Sequence, residues 1–234
     1  MRGRVRFSKY GKIRFVSHRD LARVWERALR RAELPVAMTE GFTPRPKLHF
    51  GLALGTGYES AGEYLDIDFT RAVDLALLPE VLGAALPAGV TVQAAEVLEP
   101  GTPSLQQAVT SCTWRLEVAG AEPEEIRASI QRVLAATSLP VTRTRKGKAV
   151  HDDIRPLLLE LRVTTADSHR VEFVAELGTQ PRALRPSEVV DVLDPALELV
   201  RAERLHQWTT PDGAPREPIP LRMKRALLAE AGTS

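Results

Sequence analysis

The order in which apolar periodicities follow one another restricts this chain more than any other feature it has. Val5, Phe7, Ile13 and Phe15 alternate with Arg6, Lys12 and Arg14, the period of an extended segment or hairpin, and Gly11 can serve a turn near Tyr10. Ser17 is then a good helix N-cap, with Asp20 three residues on to complete a capping box. Leu21, Val24, Trp25, Ala28 and Ala32 recur at helical spacing until Leu34-Pro35 stops the helix. Leu48, Phe50, Leu52 and Leu54 alternate as a strand, broken by Gly55-Thr56-Gly57. Leu65, Ile67 and Phe69 alternate as another, with Asp66 and Asp68 on its opposite, solvent-facing side. A helix around 79–86 and a strand around 90–97 complete the order β-α-β-β-α-β, which is the ferredoxin-like pattern.

Pro100-Gly101-Thr102-Pro103 reads as a linker, after which a similar order begins again. Cys112, Trp114, Leu116 and Val118 alternate, and Pro123-Glu124-Glu125 opens a helix through Ile126, Ile130 and Val133. Val141, 154–163 and 171–177 read as strands, 189–200 as a helix interrupted near Pro195, and 205–208 as a last short strand. The expectation is an α+β protein of two tandem ferredoxin-like lobes. The N-terminal lobe covers residues 1–99 and carries a basic face, the C-terminal lobe covers 104–209, and 210–234 is a loose tail in which 223–229 fits a short basic helix.

The single cysteine, Cys112, supplies no internal disulfide, no Cys-rich zinc site and no iron–sulfur cluster, and it points to a reducing, cytoplasmic home. No stretch approaches the roughly 18 apolar residues of a membrane helix, and Met1-Arg2-Gly3-Arg4-Val5 is unlike a signal peptide. Gly55-Thr56-Gly57 lacks the Gly-Lys-Ser/Thr of a phosphate loop, and neither a Gly-x-Ser-x-Gly elbow nor a dinucleotide fingerprint occurs. His18, His49 and His151 follow no recognised ligand spacing, so no metal and no cofactor is expected.

The net charge of +2 hides a sharp segregation. Residues 1–50 carry 13 Lys and Arg against 4 Asp and Glu, a net +9, whereas residues 51–100 carry 1 against 8, a net −7. If the two blocks occupy different faces, one face attracts polyanions; if they lie against each other, they cancel. Arg19, Arg23, Arg27, Arg30 and Arg31 follow one another at spacings of four, four, three and one, which puts the first four in one ridge. Arginine forks around phosphate oxygens and stacks on bases. Lys12 and Arg14 continue the ridge. The loop from Gly41 to Lys47 adds Phe42, a stacking platform for an unpaired base, beside Arg45 and Lys47. Arg143, Arg145, Lys146 and Lys148 form a second basic element around a turn at Gly147. His18 leads the ridge and suits a hydrogen-bonding contact or a general base. Each feature also has an ordinary alternative: a solvated helix face with Glu26 and Glu33 as partners, Phe42 as a plug in the core, a solvated turn, and a structural histidine.

The runs Phe7-Ser8-Lys9-Tyr10-Gly11, Phe15-Val16-Ser17-His18-Arg19-Asp20-Leu21-Ala22-Arg23, Arg27-Ala28-Leu29-Arg30-Arg31-Ala32-Glu33-Leu34-Pro35 and Glu40-Gly41-Phe42-Thr43-Pro44-Arg45-Pro46 resemble the radical SAM-linked proteins of bacteria. The resemblance continues through Gly62-Glu63-Tyr64-Leu65-Asp66, Lys148 and Asp153-Ile154-Arg155-Pro156, covering most of residues 4–160. That family is a domain of unassigned function found beside or fused to a cobalamin-binding radical SAM protein. Its members carry no cluster-binding cysteines, so the resemblance implies that any radical chemistry belongs to the partner. A ferredoxin-like lobe with Ser17-His18 before an arginine-rich helix is also similar, in architecture alone, to the CRISPR repeat-processing endoribonucleases, which grip RNA.

The leading expectation is an RNA-binding adaptor that presents tRNA or ribosomal RNA to a radical SAM modifying enzyme. Its contacts would be Lys12, Arg14, His18, Arg19, Arg23, Arg27, Arg30, Phe42, Arg45, Lys47, Arg143, Arg145, Lys146 and Lys148. The lack of a self-contained catalytic constellation favours a non-enzyme. Two other readings stay open. One is a metal-independent endoribonuclease in which His18, assisted by Tyr10 or Lys12, activates a 2′-hydroxyl. The other is a protein–protein adaptor whose basic face docks an acidic partner without nucleic acid.

Overall fold

The computed structural model describes residues 1–145, 147–167 and 170–221. Its first half contains β1 (Arg2–Lys9), a 3-10 turn (Gly11–Phe15), α1 (His18–Arg31), β2 (Leu48–Phe50), β3 (Glu59–Asp68), α2 (Leu78–Gly83) and β4 (Val90–Val97). The strands lie side by side as β4-β1-β3-β2, every neighbour antiparallel. The second half contains α3 (Leu105–Ala108), β5 (Val109–Ala119), α4 (Pro123–Ala135), the hairpin β6 (Pro140–Arg145) and β7 (Lys148–Asp153), β8 (Leu158–Ala166), β9 (Arg170–Gly178), α5 (Pro186–Leu193) and β10 (Glu198–Thr209). Here the order is β10-β5-β9-β8, again antiparallel throughout. With α3 and the hairpin set aside, each half runs β-α-β-β-α-β, as the periodicities predict. The two sets of strands join into one sheet, because β10 pairs in parallel with the start of β3 at Glu203–Glu59 and Arg204–Ser60.

Alternation along β1 sorts its residues by face. Val5 and Phe7 point into a core shared with Leu21, Trp25 and Leu29 of α1 and Leu78 and Leu82 of α2. Arg4 and Arg6 point the other way, yet both are buried. The reason is cross-strand pairing: Arg4 grips Asp66 with two hydrogen bonds of 2.7 and 2.9 Å, and Arg2 reaches Asp68 at 2.5 Å. Asp66 and Asp68 therefore do not simply face solvent as the sequence suggests. Two of the eight acids of the 51–100 block are thus neutralised by arginines of β1, while the basic residues of α1 lie on the opposite side of the sheet.

Three element boundaries depart from the periodicities. Residues Gly11–Phe15 wind into a 3-10 turn, because Lys9 is buried and its ammonium donates to the carbonyls of Arg14 and Val16, both at 3.2 Å. Burial pushes the Lys9 ammonium below its ordinary pKa. β2 stops at Phe50 because Leu54 leaves the strand and packs into the core of the second half, with Leu52 against it. The 189–200 segment splits: α5 ends before Asp194-Pro195, and β10 begins at Glu198 and runs to Thr209 instead of covering four residues.

Residues 210–221, expected to be loose, are pinned. Thr209 bridges Arg216, Ile219 is buried, Arg6 donates to the Ile219 carbonyl at 3.0 Å, and Glu217 pairs with Arg6 at 2.6 Å. The helix read at 223–229 lies outside the described residues.

The hydrogen bond from Arg2 is the largest influence on Asp68 and holds its carboxylate below the usual range. The native state then binds fewer protons than the unfolded chain as pH falls through that range. The stability this gives is present above the unfolded pKa near about 4 and drains as pH drops toward the lower folded value. Asp68→Asn should flatten the acid limb of a stability–pH curve measured by urea titration, with little change in slope above about pH 6.

Candidate nucleic-acid interface

Ser17 caps α1 as its sequence implies: its Oγ accepts from the Asp20 amide at 3.2 Å and donates to the Asp20 carboxylate at 2.8 Å. Burial of Leu21, Trp25, Ala28 and Leu29 fixes the rotation of the helix. Arg19, Arg23, Arg27 and Arg30 fall on the opposite side; Arg19, Arg23 and Arg27 lie along its outer surface, and Arg30 and Arg31 continue it at the C-terminal turn. Arg23 pairs with Asp20 at 3.0 Å. Among the described residues, Arg19, Arg27 and Arg30 have no ion pair, and neither Glu26 nor Glu33 closes one. Like charges three and four residues apart on one helix face repel, so the ridge is held by the core beneath it and not by its own charges.

The chain from 36 to 47 forms a closed loop. The Thr39 amide donates to the Arg45 carbonyl at 2.8 Å, the Arg45 amide to Thr39 Oγ1 at 3.0 Å, and the Lys47 amide to the Ala37 carbonyl at 2.8 Å. Gly41 turns the tip with φ of 121°, a conformation open to glycine. Phe42, next to it, is fully exposed, which removes the reading of it as a core plug. Arg45 is exposed and Lys47 half-buried, and among the described residues neither side chain has a partner; nor does exposed Lys12.

The other expected contacts are placed differently. Arg14 bonds Glu59 at 3.3 Å, and its guanidinium stacks 4.7 Å over the ring of Phe15. Phe15 is 61% exposed, an aromatic just ahead of the ridge. His18 is exposed, with its ring edge-on to Phe50 at 5.0 Å. Among the described residues, His18 and Tyr10 make no contact with each other. The Tyr10 hydroxyl donates to Glu203 at 2.7 Å, and burial followed by that carboxylate pushes its pKa far above the ordinary phenol value. Arg143, Arg145 and Lys148 belong to the β6–β7 hairpin of the second half, away from α1 in the fold order. Arg143 is tied to Asp152 at 2.5 Å, Lys148 is exposed, and Lys146 lies outside the described residues.

At the junction of the halves lies a charged cluster with no signal in the sequence. Glu59 accepts from the Gly11 amide at 2.9 Å and from Arg201 at 2.9 Å, while Glu203 takes Tyr10 and Arg115. Burial alone would raise the Glu59 pKa, but these donors hold it below the ordinary value. Among the described residues, no group of three or more His, Cys, Asp or Glu could hold a metal ion, and no helix is long and apolar enough to cross a membrane.

A family model described as an uncharacterized protein conserved in bacteria, DUF2344, matches residues 2–186. The chain belongs to this family. The DUF2344 match takes in β1, the arginine ridge, the Phe42 loop and the β6–β7 hairpin, and it stops at the first residue of α5. No curated protein matches the sequence. Among solved structures, one with a similar fold is the crystal structure of a Cbf5-Nop10-Gar1 complex, at TM-score 0.52 and 6% identity over 88% of this chain and 48% of that one. The archaeal box H/ACA sRNP Nop10-Cbf5 complex gives TM-score 0.48 and 8% identity, covering 86% and 46%. This DUF2344 chain thus spans about half the length of either. An unknown protein from Galdieria sulphuraria gives TM-score 0.23 and 15% identity, covering 87% and 97%.

Proposed function

We propose that this protein binds RNA, in the cytoplasm, through the ridge of α1 and the Phe42 loop, and presents tRNA or ribosomal RNA to a radical SAM modifying enzyme. The observation that carries the RNA reading is the set of outward α1 arginines, of which Arg19, Arg27 and Arg30 have no acidic partner among the described residues. A row of unneutralised guanidinium groups on a helix fixed by its buried face suits phosphates spaced along a strand. The exposed ring of Phe42 supplies a surface for an unpaired base. The fold likeness to the Cbf5-Nop10-Gar1 complex is compatible with this reading. The radical SAM partner rests on the resemblance across residues 4–160, and co-elution with a cobalamin-binding radical SAM protein tests it. Two units, 1–99 and 104–209, are part of the same proposal. Their support is that the two main apolar cores fall on either side of residue 100, apart from the contribution of Leu54 and its neighbours to the second.

Replacing Arg23 and Arg27 with Gln tests the ridge. Each phosphate that is no longer neutralised should flatten the slope of log K against log salt by about 0.7, so the double variant should give up roughly 1 to 1.5 units of slope and bind RNA more weakly. Helix content by circular dichroism should not change, since both residues lie outside the buried stripe and Gln is a good helix former. Unchanged affinity and slope would make the ridge an ordinary solvated face and remove the reading. Phe42→Ala should cost about 1–3 kcal/mol of single-strand affinity, with no shift in the melting temperature.

A further inference from the structure

A cleft of about 1150 Å3 opens where the two halves meet. The first half contributes the loop around 52–58, with Tyr58. The second contributes Trp114, β6 and the chain from 179 into α5. The space suits an organic molecule far larger than a single ion, and junctions of this kind are where such sites occur.

Arg182, Arg143 and Arg185 line this cleft. Arg182 is clamped: it donates to Asp152 at 2.9 Å, to Glu188 at 2.9 Å and to the Ala183 carbonyl at 3.3 Å. Its remaining terminal nitrogen, Nη2, is buried and has no hydrogen-bond partner. Two carboxylates fix this guanidinium through Nε and Nη1, which leaves Nη2 as its one nitrogen with hydrogens to give to an anion. Arg143 shares the Asp152 carboxylate at 2.5 Å, and exposed Arg185 has no ion pair among the described residues. The acids on the lining are Glu188, already taken up by Arg182, and Asp191. The fourth arginine there, Arg204, is taken up by Glu63. On the same lining Tyr58 is half-buried, with its ring edge-on to Trp114 at 5.8 Å and its hydroxyl without a hydrogen bond among the described residues. The lining thus combines a forked cationic corner with an aromatic and proline-rich rim that includes Pro140.

We propose that this cleft binds a nucleotide, with the phosphate on Arg143, Arg182 and Arg185 and the base against Tyr58. The same chemistry is offered by a free mononucleotide and by one nucleotide unit of an RNA strand. Isothermal titration calorimetry separates them, with adenosine and uridine monophosphates, a single-stranded hexanucleotide, adenosine, and inorganic phosphate as probes. The nucleotide probes should bind, while adenosine and phosphate bind at least about tenfold more weakly, because each offers only the base or only the anion. Arg182→Gln should weaken nucleotide binding by about tenfold or more. Since Arg182 also neutralises Asp152 and Glu188, Arg185→Gln and Tyr58→Ala serve as variants at exposed and half-buried positions. Each of them should weaken binding severalfold with an unchanged melting temperature. Binding of the monophosphates alone assigns the site to a free nucleotide. Binding of the hexanucleotide only, with the same dependence on Arg182 and Arg185, assigns it to a unit of RNA. The proposal is overturned if no probe responds to Arg185→Gln and Tyr58→Ala, or if phosphate binds as tightly as the monophosphates. The monophosphate titration does not involve α1, so its failure leaves the ridge reading standing, and the converse also holds.

Discussion

Glu63→Ala should destabilise the folded chain by about 3–5 kcal/mol, read as a lower urea midpoint. The cause is what the substitution leaves behind. Arg204 is 2% exposed and its guanidinium donates hydrogen bonds of 2.6 to 2.9 Å to the Glu63 carboxylate. Its other ties include the Leu52 carbonyl at 3.0 Å, the Cys112 sulfur and the ring of Trp114 at 5.3 Å, none of which is a counterion. With Glu63 gone, a cation sits out of water without its counterion, which costs more than the pair itself contributes. Replacing both, Glu63→Leu with Arg204→Met, should therefore recover most of the loss. A single Glu63→Ala variant within about 1 kcal/mol of the parent would mean that water reaches Arg204.

Trp25→Ala should cost about 3–5 kcal/mol in the same measurement. Trp25 is fully buried between α1 and the sheet, its ring edge-on to Phe7 at 4.9 Å. Its removal leaves a cavity at the centre of the first core, where the neighbouring strands β1 and β3 are held by their ladder and collapse little. The indole Nε1 is buried with no hydrogen-bond partner, so the native residue already carries a polar penalty. Trp25→Phe keeps most of the volume and removes that orphan donor, and should cost less than about 1.5 kcal/mol.

Local pattern was a good guide wherever one element alone decides the outcome. The Ser17 cap, the buried stripe through Leu21 and Trp25, the Pro123 helix start and the Val90–Val97 strand all follow from residues within a few positions of each other. So does the outward placement of the α1 arginines, because burying one side of a helix dictates the other. Long-range ion pairs were invisible to the same reading. Nothing in the neighbourhood of Asp66 announces Arg4, which sits across the ladder, or ties Lys9 to the carbonyls that curl Gly11–Phe15. Leu54 ends a regular alternation because it packs with residues more than a strand's length away in sequence. The Arg182 corner needs Asp152 and Glu188 from two separate segments, so it exists only after folding.

The pairing of β10 with β3 also bears on how this chain is made. A protein emerges from the ribosome N-terminus first, so β1, β3 and β4 can meet long before Glu198–Thr209 exists. During that interval the Glu59–Ser60 end of β3 lacks its neighbour on one side, and Glu63 waits for an arginine still to be translated. An unguarded strand edge invites pairing with another chain. The last strand of the sheet is thus its closing seam, and nascent chains halted before residue 198 should be the species most prone to self-association and most dependent on chaperones.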